Sequence, residues 1–477
     1  MHGGILLATI NAKWIHPSLA LRLLKANLGP LEERCQIMEF ALRQPLREKI
    51  EPILAARPRI LGLSVSIWNL TATLELLGEL RKSWEGEGGS HTRPFVVLGG
   101  PEVSFLPEDA GIFRYADCRV LGEGETAFRE LCEAVFDGRE KPPVANREFG
   151  QVDVNTIKTG YGLYTDEDVR KKLVYVEASR GCPYSCEFCL SARDTKVREF
   201  PLEPFLEEMR GLILRGTRTF KFLDRSFNIN TARARRVMDF FLEYLDGGHS
   251  FTVHFEMVPF RFPSELLEPI TRFPPRSLRL EIGIQTLNPE VSALIGRPWD
   301  PALGLEALRL LRRKTGAIVH ADLIAGLPGE DIASFAKGFD MLWEVLSPSP
   351  ESRATVEIQL GILKLLPGAP IARHSAAFGM RYGSSPPYEV TETAAIPAGE
   401  LDRIKNFARF WELIVNRGLA DPGPSPVFDR FMSVSDSLLA RFGRNWGIAK
   451  TDLVEALRCE ASHGILLRTH CLLEERA

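Results

Sequence analysis

The sequence predicts an α/β protein made of two successive runs of alternating strands and helices, closed by a mostly helical tail. Three observations predict it. Short apolar runs recur over residues 1–140 and again over 173–363, with helical-period stretches between them. That alternation gives parallel sheets covered on both faces. Glycines, small hydroxyls and acids gather directly after the apolar runs, at the strand ends where such sheets bind ligands. Residues 373–477 lack the alternation and read as helices, with breaks at Pro386-Pro387 and from Pro422 to Pro426.

The first run predicts strands at 5–9, 37–40, 60–65, 95–98 and 119–121, with helices at 17–28, 70–83 and 125–137. The pattern is that of a doubly wound sheet. Its strand ends lead into Asn11 and His16, into Ser64 and Ser66, into Gly99-Gly100-Pro101-Glu102, and into Gly122-Glu123-Gly124-Glu125. Glycine lets a flat or extended ligand approach the backbone closely, and Ser64 and Ser66 can line a narrow slot. Residues 141–172 are rich in charge and turn formers and read as a linker.

The second run predicts strands at 173–178, 219–223, 251–257, 278–284, 317–324 and 355–363. Helical stretches lie between them at 203–215, 231–246, 264–272, 301–314 and 331–346. Six β/α units over 173–372 place any chemistry at the carboxyl ends of their strands. After the first of these strands comes Arg180-Gly181-Cys182-Pro183-Tyr184-Ser185-Cys186-Glu187-Phe188-Cys189. A [4Fe–4S] cluster has four irons and prefers four thiolates, so three thiols leave one iron open to a ligand from outside the protein. A zinc knuckle is the competing reading. Structural zinc takes four ligands, usually as two close pairs, and no second pair follows at that distance.

The cysteine loop, with its preceding strand and the aromatic Phe188, resembles the signature of radical S-adenosylmethionine (SAM) enzymes, and the six β/α units over 173–372 resemble that family's open partial barrel. The resemblance implies that Cys182, Cys186 and Cys189 hold the cluster and that Phe188 packs on the SAM side. The element Asp224-Arg225-Ser226-Phe227-Asn228 stands where the family carries a Gly-Gly-Glu-like segment. Asp224 is expected to meet the SAM ammonium, and Arg225 or Asn228 its carboxylate; the alternative is a solvated pair capping the next helix. Glu281 and Gln285 share a strand face with Gly283 and match the family's Glu-x-Gly-x-Gln-Thr pattern. Ile324 to Leu327, opening Gly326-Leu327-Pro328-Gly329-Glu330, are expected near the adenine.

The strand ends of the first run resemble the cobalamin-binding domain that precedes many radical SAM cores. Asn11, His16, Ser64, Ser66, Gly99, Gly100, Gly122, Glu123, Gly124 and Glu125 are its expected cofactor contacts. The loop after the first strand lacks the Asp-x-His-x-x-Gly pattern of methionine-synthase-type domains, which implies cobalamin without that histidine ligand. His16 reads first as a polar residue opening the first helix, with lower cobalt ligand as the alternative. The tail resembles a C-terminal domain of unknown function attached to this subgroup. The whole resemblance implies a cobalamin-dependent radical SAM enzyme, using a [4Fe–4S] cluster, SAM and cobalamin to methylate an unactivated carbon of a small molecule, peptide or lipid. An electron donor such as flavodoxin or ferredoxin is implied. A non-methylating rearrangement or cyclisation, and a non-catalytic cobalamin carrier or sensor, are the alternatives.

Composition narrows the partners. The net charge of −3 over 477 residues provides no basic field for nucleic acid. No apolar run reaches the roughly 18 residues a membrane helix needs, and the start lacks a secretory pattern, so a cytoplasmic protein is expected. Eight cysteines, three clustered and five scattered, do not form a disulfide framework. Cys459, His463, His470 and Cys471 could be a zinc site, but a buried thiol and surface imidazoles are the favoured reading.

Overall fold

The structure, a computed structural model, describes residues 3–85, 92–146, 149–259, 262–297, 299–349, 352–459 and 464–467. Two compact units form. One comprises Met1–Ser179, Arg198–Leu223 and Leu366–Gly368; the other comprises Arg180–Val197, Asp224–Leu365 and Ala369–Ala477. Among the described residues no helix is long and apolar enough to cross a membrane.

The first unit is organised by a sheet of β1 (Ile5–Asn11), β2 (Cys35–Ala41), β3 (Ile60–Ser64), β4 (Phe95–Gly99), β5 (Cys118–Val120) and β6 (Val144–Ala145). Their order is β2-β1-β3-β4-β5-β6, and every pair is parallel. All seven residues of β1 are buried, as a strand covered on both faces requires. Leu6, Ala8 and Ile10 pack with Ile53, Leu76, Leu77 and Leu80 on one face. Ile5 and Leu7 pack with Leu21, Phe128 and Leu131 on the other. β1 lies between β2 and β3, so the connections leaving β1 and β3 run in opposite directions and open a crevice at their carboxyl ends.

Two elements depart from expectation. A helix spans Leu46–Ala56 with Pro52 inside it; a mid-helix proline argues against a helix on sequence grounds. The stretch read as a linker is packed structure. It adds β6 to the sheet, and its Tyr161 and Tyr164 are fully buried. It also carries the helix Asp166–Lys171, whose capping box joins Thr165 and Asp168. Asp168 pairs with buried Arg22 at 2.7 Å. The first unit also holds the parallel pair Val174–Val176 and Thr219–Phe222.

In the second unit, Thr252–Met257, Leu278–Gln285, Ile318–Ala325 and Thr355–Ile362 each run parallel to the next. The helices Thr231–Asp246, Ser264–Arg272, Pro301–Lys314 and Ile332–Leu346 fall where the periodicity predicts them. The tail supplies the helices Ala398–Trp411, Phe428–Phe442 and Lys450–Cys459. It joins the barrel helix Ile332–Leu346 through aromatic rings: Phe339 lies 4.8 Å from Trp411 and 5.2 Å from Phe407 by ring centroid, and Trp343 lies 5.1 Å from Trp411. Asp340, on the same barrel helix, accepts from the backbone N–H of Val427 and Phe428. It thereby caps the start of a tail helix with a side chain from another element.

Gly100 has φ +104°, and a Cβ there would stand 2.5 Å from the Val65 carbonyl oxygen. Gly100→Ala is therefore expected to lower stability by about 2 kcal/mol or more. Urea denaturation measures this, and an unchanged midpoint would contradict it.

Candidate active site

The cysteine loop forms one wall of a small cavity in the second unit, about 160 Å³ in volume. Cys182, Cys186 and Cys189 line it together with Phe188, Arg225, Glu281, Gln285, Arg297 and Asp322. Cys182 Sγ lies 3.2 Å from the Ser226 hydroxyl. Arg297, itself buried, donates from Nη1 to Cys186 Sγ at 3.2 Å and from Nη2 to the Gly283 carbonyl. Burial pushes the Cys186 thiol up while Arg297 acts against that rise.

The floor of this cavity follows from strand register. Glu256, Glu281, His320 and Glu357 stand opposite one another across four parallel strands. The next row places Gly283, Asp322 and Gln359 together. Alternation turns all of them to one face, and buried polar groups there need partners. His320 meets them on both ring nitrogens. Nδ1 is 3.0 Å from Glu357, and Nε2 is 3.0 Å from Gln359 and 3.1 Å from Asp322. Burial works to lower the His320 pKa, but the bonds to Asp322 and Glu357 raise it to about 9. Burial likewise works to raise Glu357, and bonds from His320 and Arg279 overcome it. Arg279 closes the group with a two-pronged pair to Glu357. His254 Nε2 stands 3.0 Å from Glu281.

Gln285 ends its strand with φ +69° at a register shift in the pairing with Ile318–Ala325. Its side chain folds back, so a Cβ on Gly283 would meet Gln285 Nε2 at 2.5 Å. The family-type Gly therefore makes room for the Gln beside it. Non-glycine residues with positive φ concentrate at functional sites.

Four residues expected around SAM, Asp224, Asn228, Ile324 and Leu327, do not line this cavity. Asn228 is fully buried and exchanges two hydrogen bonds with the Val258 backbone, at 2.9 and 3.0 Å. Its amide is spent on holding a strand end. Asp224 is buried but does not line the cavity, and neither Ile324 nor fully buried Leu327 does. Arg225 lines the cavity, 3.7 Å from Glu256. Ser226, Glu256, Arg297 and Asp322 line it without having been expected.

The edge of the first unit's sheet is mixed. Asn11 donates to Glu39. His16 Nδ1 bonds the Tyr175 hydroxyl at 2.8 Å, and burial with Lys13 and Lys221 lowers its pKa. Ser64 accepts through its carbonyl from Thr9 and Asn69, and the Ser66 N–H donates to Asn69. Glu123 forms a two-pronged pair with Arg198, and Glu125 is buried at the start of a helix. The side chains of Asn11, His16 and Glu123 are thus held by the protein. Gly99 ends β4 and abuts Val120; Gly122 abuts Phe149, and Gly124 abuts Leu24. Large apolar side chains exposed on the loops after β1 and β3 are Trp14 and Trp68, each 51% exposed, and Ile15; the Lys172 ammonium lies 5.0 Å from the Trp14 ring centre. In the tail Cys459 is exposed, not buried as expected; His463, His470 and Cys471 lie outside the described residues.

The donor sets fit the implied cofactors. Among the described residues no three His, Cys, Asp or Glu side chains converge on a single-ion site. Three thiols spread along one cavity wall suit one thiolate on each of three irons. Two wide indoles at a strand-order crevice suit a broad flat ligand. A larger cavity, about 640 Å³, lies beside Tyr161, Phe205 and Glu208 in the first unit and carries no thiol.

Comparison with known proteins agrees. Residues 5–132 match the B12 binding domain family, and residues 176–342 match the Radical SAM superfamily. An uncharacterized methyltransferase of Pyrococcus horikoshii, PH0819, is 27% identical over 54% of this chain and 62% of its own. A 2-(S-pantetheinyl)-carbapenam-3-carboxylate methyltransferase of Streptantibioticus cattleyicolor is 26% identical over 68% of this chain and 50% of its own. The chain thus spans between half and two thirds of these relatives. The radical SAM methyltransferase TsrM of Kitasatospora setae has the same fold, with a TM-score of 0.61 at 19% identity over 81% of this chain and 78% of that one.

Behind Gln285, Thr286 donates to the buried Glu330 carboxylate at 2.6 Å. Burial raises the Glu330 pKa to about 7. A carboxyl raised on folding adds stability that is complete below its unfolded value near 4.5 and is lost as pH rises through 7. Glu330→Gln is expected to gain on the parent between pH 5 and 8, by on the order of 3 kcal/mol. Parallel pH–stability curves would refute this.

Proposed function

We propose that this chain, which joins a B12 binding domain to a Radical SAM superfamily domain, is a cobalamin-dependent radical SAM methyltransferase. The observation that carries the reading is the cavity in which Cys182, Cys186 and Cys189 meet Phe188, Arg225, Glu281, Gln285 and Arg297. When bound, a [4Fe–4S] cluster supplies the electron that splits SAM into methionine and a 5′-deoxyadenosyl radical, and cobalamin supplies the methyl group.

The protein's own residues do the remaining work. The three thiolates hold the cluster and leave one iron free. Arg297 and Arg225 offer positive charge to a carboxylate, and Glu256 and Glu281 accept from an ammonium or a hydroxyl. Glu281, Gln285 and Asp322 present hydrogen-bonding groups on one wall, and Phe188 offers an apolar one. His320, its pKa raised by Asp322 and Glu357, holds both carboxylates in place as a positioning residue. In the first unit Trp14 and Trp68 would offer apolar surface to a bound corrin. The substrate is a molecule with an unactivated carbon, and the electron comes from a donor such as flavodoxin or ferredoxin.

The test is anaerobic purification with cobalamin supplied, followed by product analysis with SAM and reductant. S-adenosylhomocysteine and 5′-deoxyadenosine are expected in a ratio of about one to one, as two SAM molecules serve one methylation. 5′-Deoxyadenosine alone would point to rearrangement. Replacing Cys182, Cys186 and Cys189 together by Ala is expected to abolish iron binding and SAM cleavage; a variant that kept both would sink the reading.

A further inference from the structure

The cysteine loop has almost no regular structure of its own, only a short turn at Leu190–Arg193. Something else must hold its thiols. The loop also contains a surprising group: Glu187, between the second and third cysteines, is buried at 8% exposure. A buried carboxylate without partners is strongly disfavoured, and a fourth negative group beside three thiolates would be more so. Its burial is explained by its partners. Arg373 donates to it from Nε at 2.9 Å and from Nη2, and His374 Nε2 stands at 2.9 Å. The backbone of Glu187 is fixed on both sides. Its carbonyl accepts from the Ile371 N–H at 2.9 Å, and its N–H donates to the Ile295 carbonyl at 3.0 Å.

The loop is thus gripped between two turns of the same unit. The turn at 295–297 presses on it closely. Gly296 has φ +68°, and a Cβ there would stand 2.7 Å from the Ser185 carbonyl oxygen, while the next residue, Arg297, reaches Cys186. The opposite turn, Pro370–His374, lies beyond residue 342, where the superfamily match ends.

We propose that Glu187 and the Arg373–His374 pair form a clamp that retains the cluster, so that the segment after the barrel completes the iron site. Glu187 is a positioning residue: it acts through the cysteines on either side of it. The inference rests on the cluster reading of the three thiols. Groups hydrogen-bonded directly to metal ligands account for about 10- to 100-fold in metal affinity; Glu187 acts one step further back, through the loop backbone, so the lower end of that range is the expectation.

The experiment uses the full chain with its cluster reconstituted anaerobically. Iron transfer to a ferrous chelator is followed by absorbance, and the cluster by its EPR spectrum after reduction. Glu187→Gln and Arg373→Ala are expected to release iron at least about tenfold faster than the parent. Arg373→Lys, which keeps the charge but not the fork, is expected to fall between. Melting curves of the iron-free proteins separate this effect from general unfolding. Arg373 is two-thirds exposed, so its Ala variant decides the matter if Glu187→Gln is unstable. Release within twofold of the parent in Arg373→Ala would overturn the clamp while leaving the cluster intact. A parent that binds no iron would instead overturn the cluster reading itself.

Discussion

Parallel pairing leaves the carboxyl ends of neighbouring strands, and the loops that follow them, along one edge of a sheet. In the first unit that edge gathers the loops after β1, β3, β4 and β5. In the second it gathers the ends of strands carrying Glu256, Gln285 and Asp322. Neither site contains much sequence-local structure, and both exist because strands far apart in sequence end at the same level. The register Glu256–Glu281–His320–Glu357 is the clearest case: four residues spread over a hundred positions form one row.

Such a row commits the protein to burying charge, and the pairing pattern shows how this is borne. His320 has a carboxylate within 3.1 Å of each ring nitrogen, and Arg279 shares Glu357 with it. Removing any one partner would strand the others in a low-dielectric interior. The same logic accounts for Glu187, whose burial makes sense only with Arg373 and His374 present. Polar order here is a consequence of where the strands place the groups, and it fixes the orientation of the side chains that face the cavity.

Much of this was legible in the sequence. Helices 231–246 and 301–314 were read residue for residue, because their amphipathic period is undisturbed. Cys182, Cys186, Cys189, Glu281 and Gln285, singled out from spacing and alternation, line one cavity. What could not be read depends on tertiary placement. Pro52 disguised a helix whose apolar face the sheet nonetheless demanded. Asn228 looked like a ligand because its amide is polar, and only the Val258 backbone shows that both its ends are used. Glu123 likewise pairs with Arg198, 75 residues away. Arg297 follows its strand by twelve residues and carries no local signal, although polar residues spaced two apart at 320 and 322, and at 357 and 359, hinted that those strands face something wet.

The aromatic seam between Ile332–Leu346 and the tail has a practical meaning. Phe339 and Trp343 are completed by Phe407, Trp411 and Phe428, so the boundary suggested by residue 342 is no place to cut. A shortened clone ending there would lay bare a hydrophobic strip of rings, and the expected fate of such a product is precipitation. A version that keeps these rings covered runs past the helix Phe428–Phe442, so the tail supplies part of the barrel's own apolar cover.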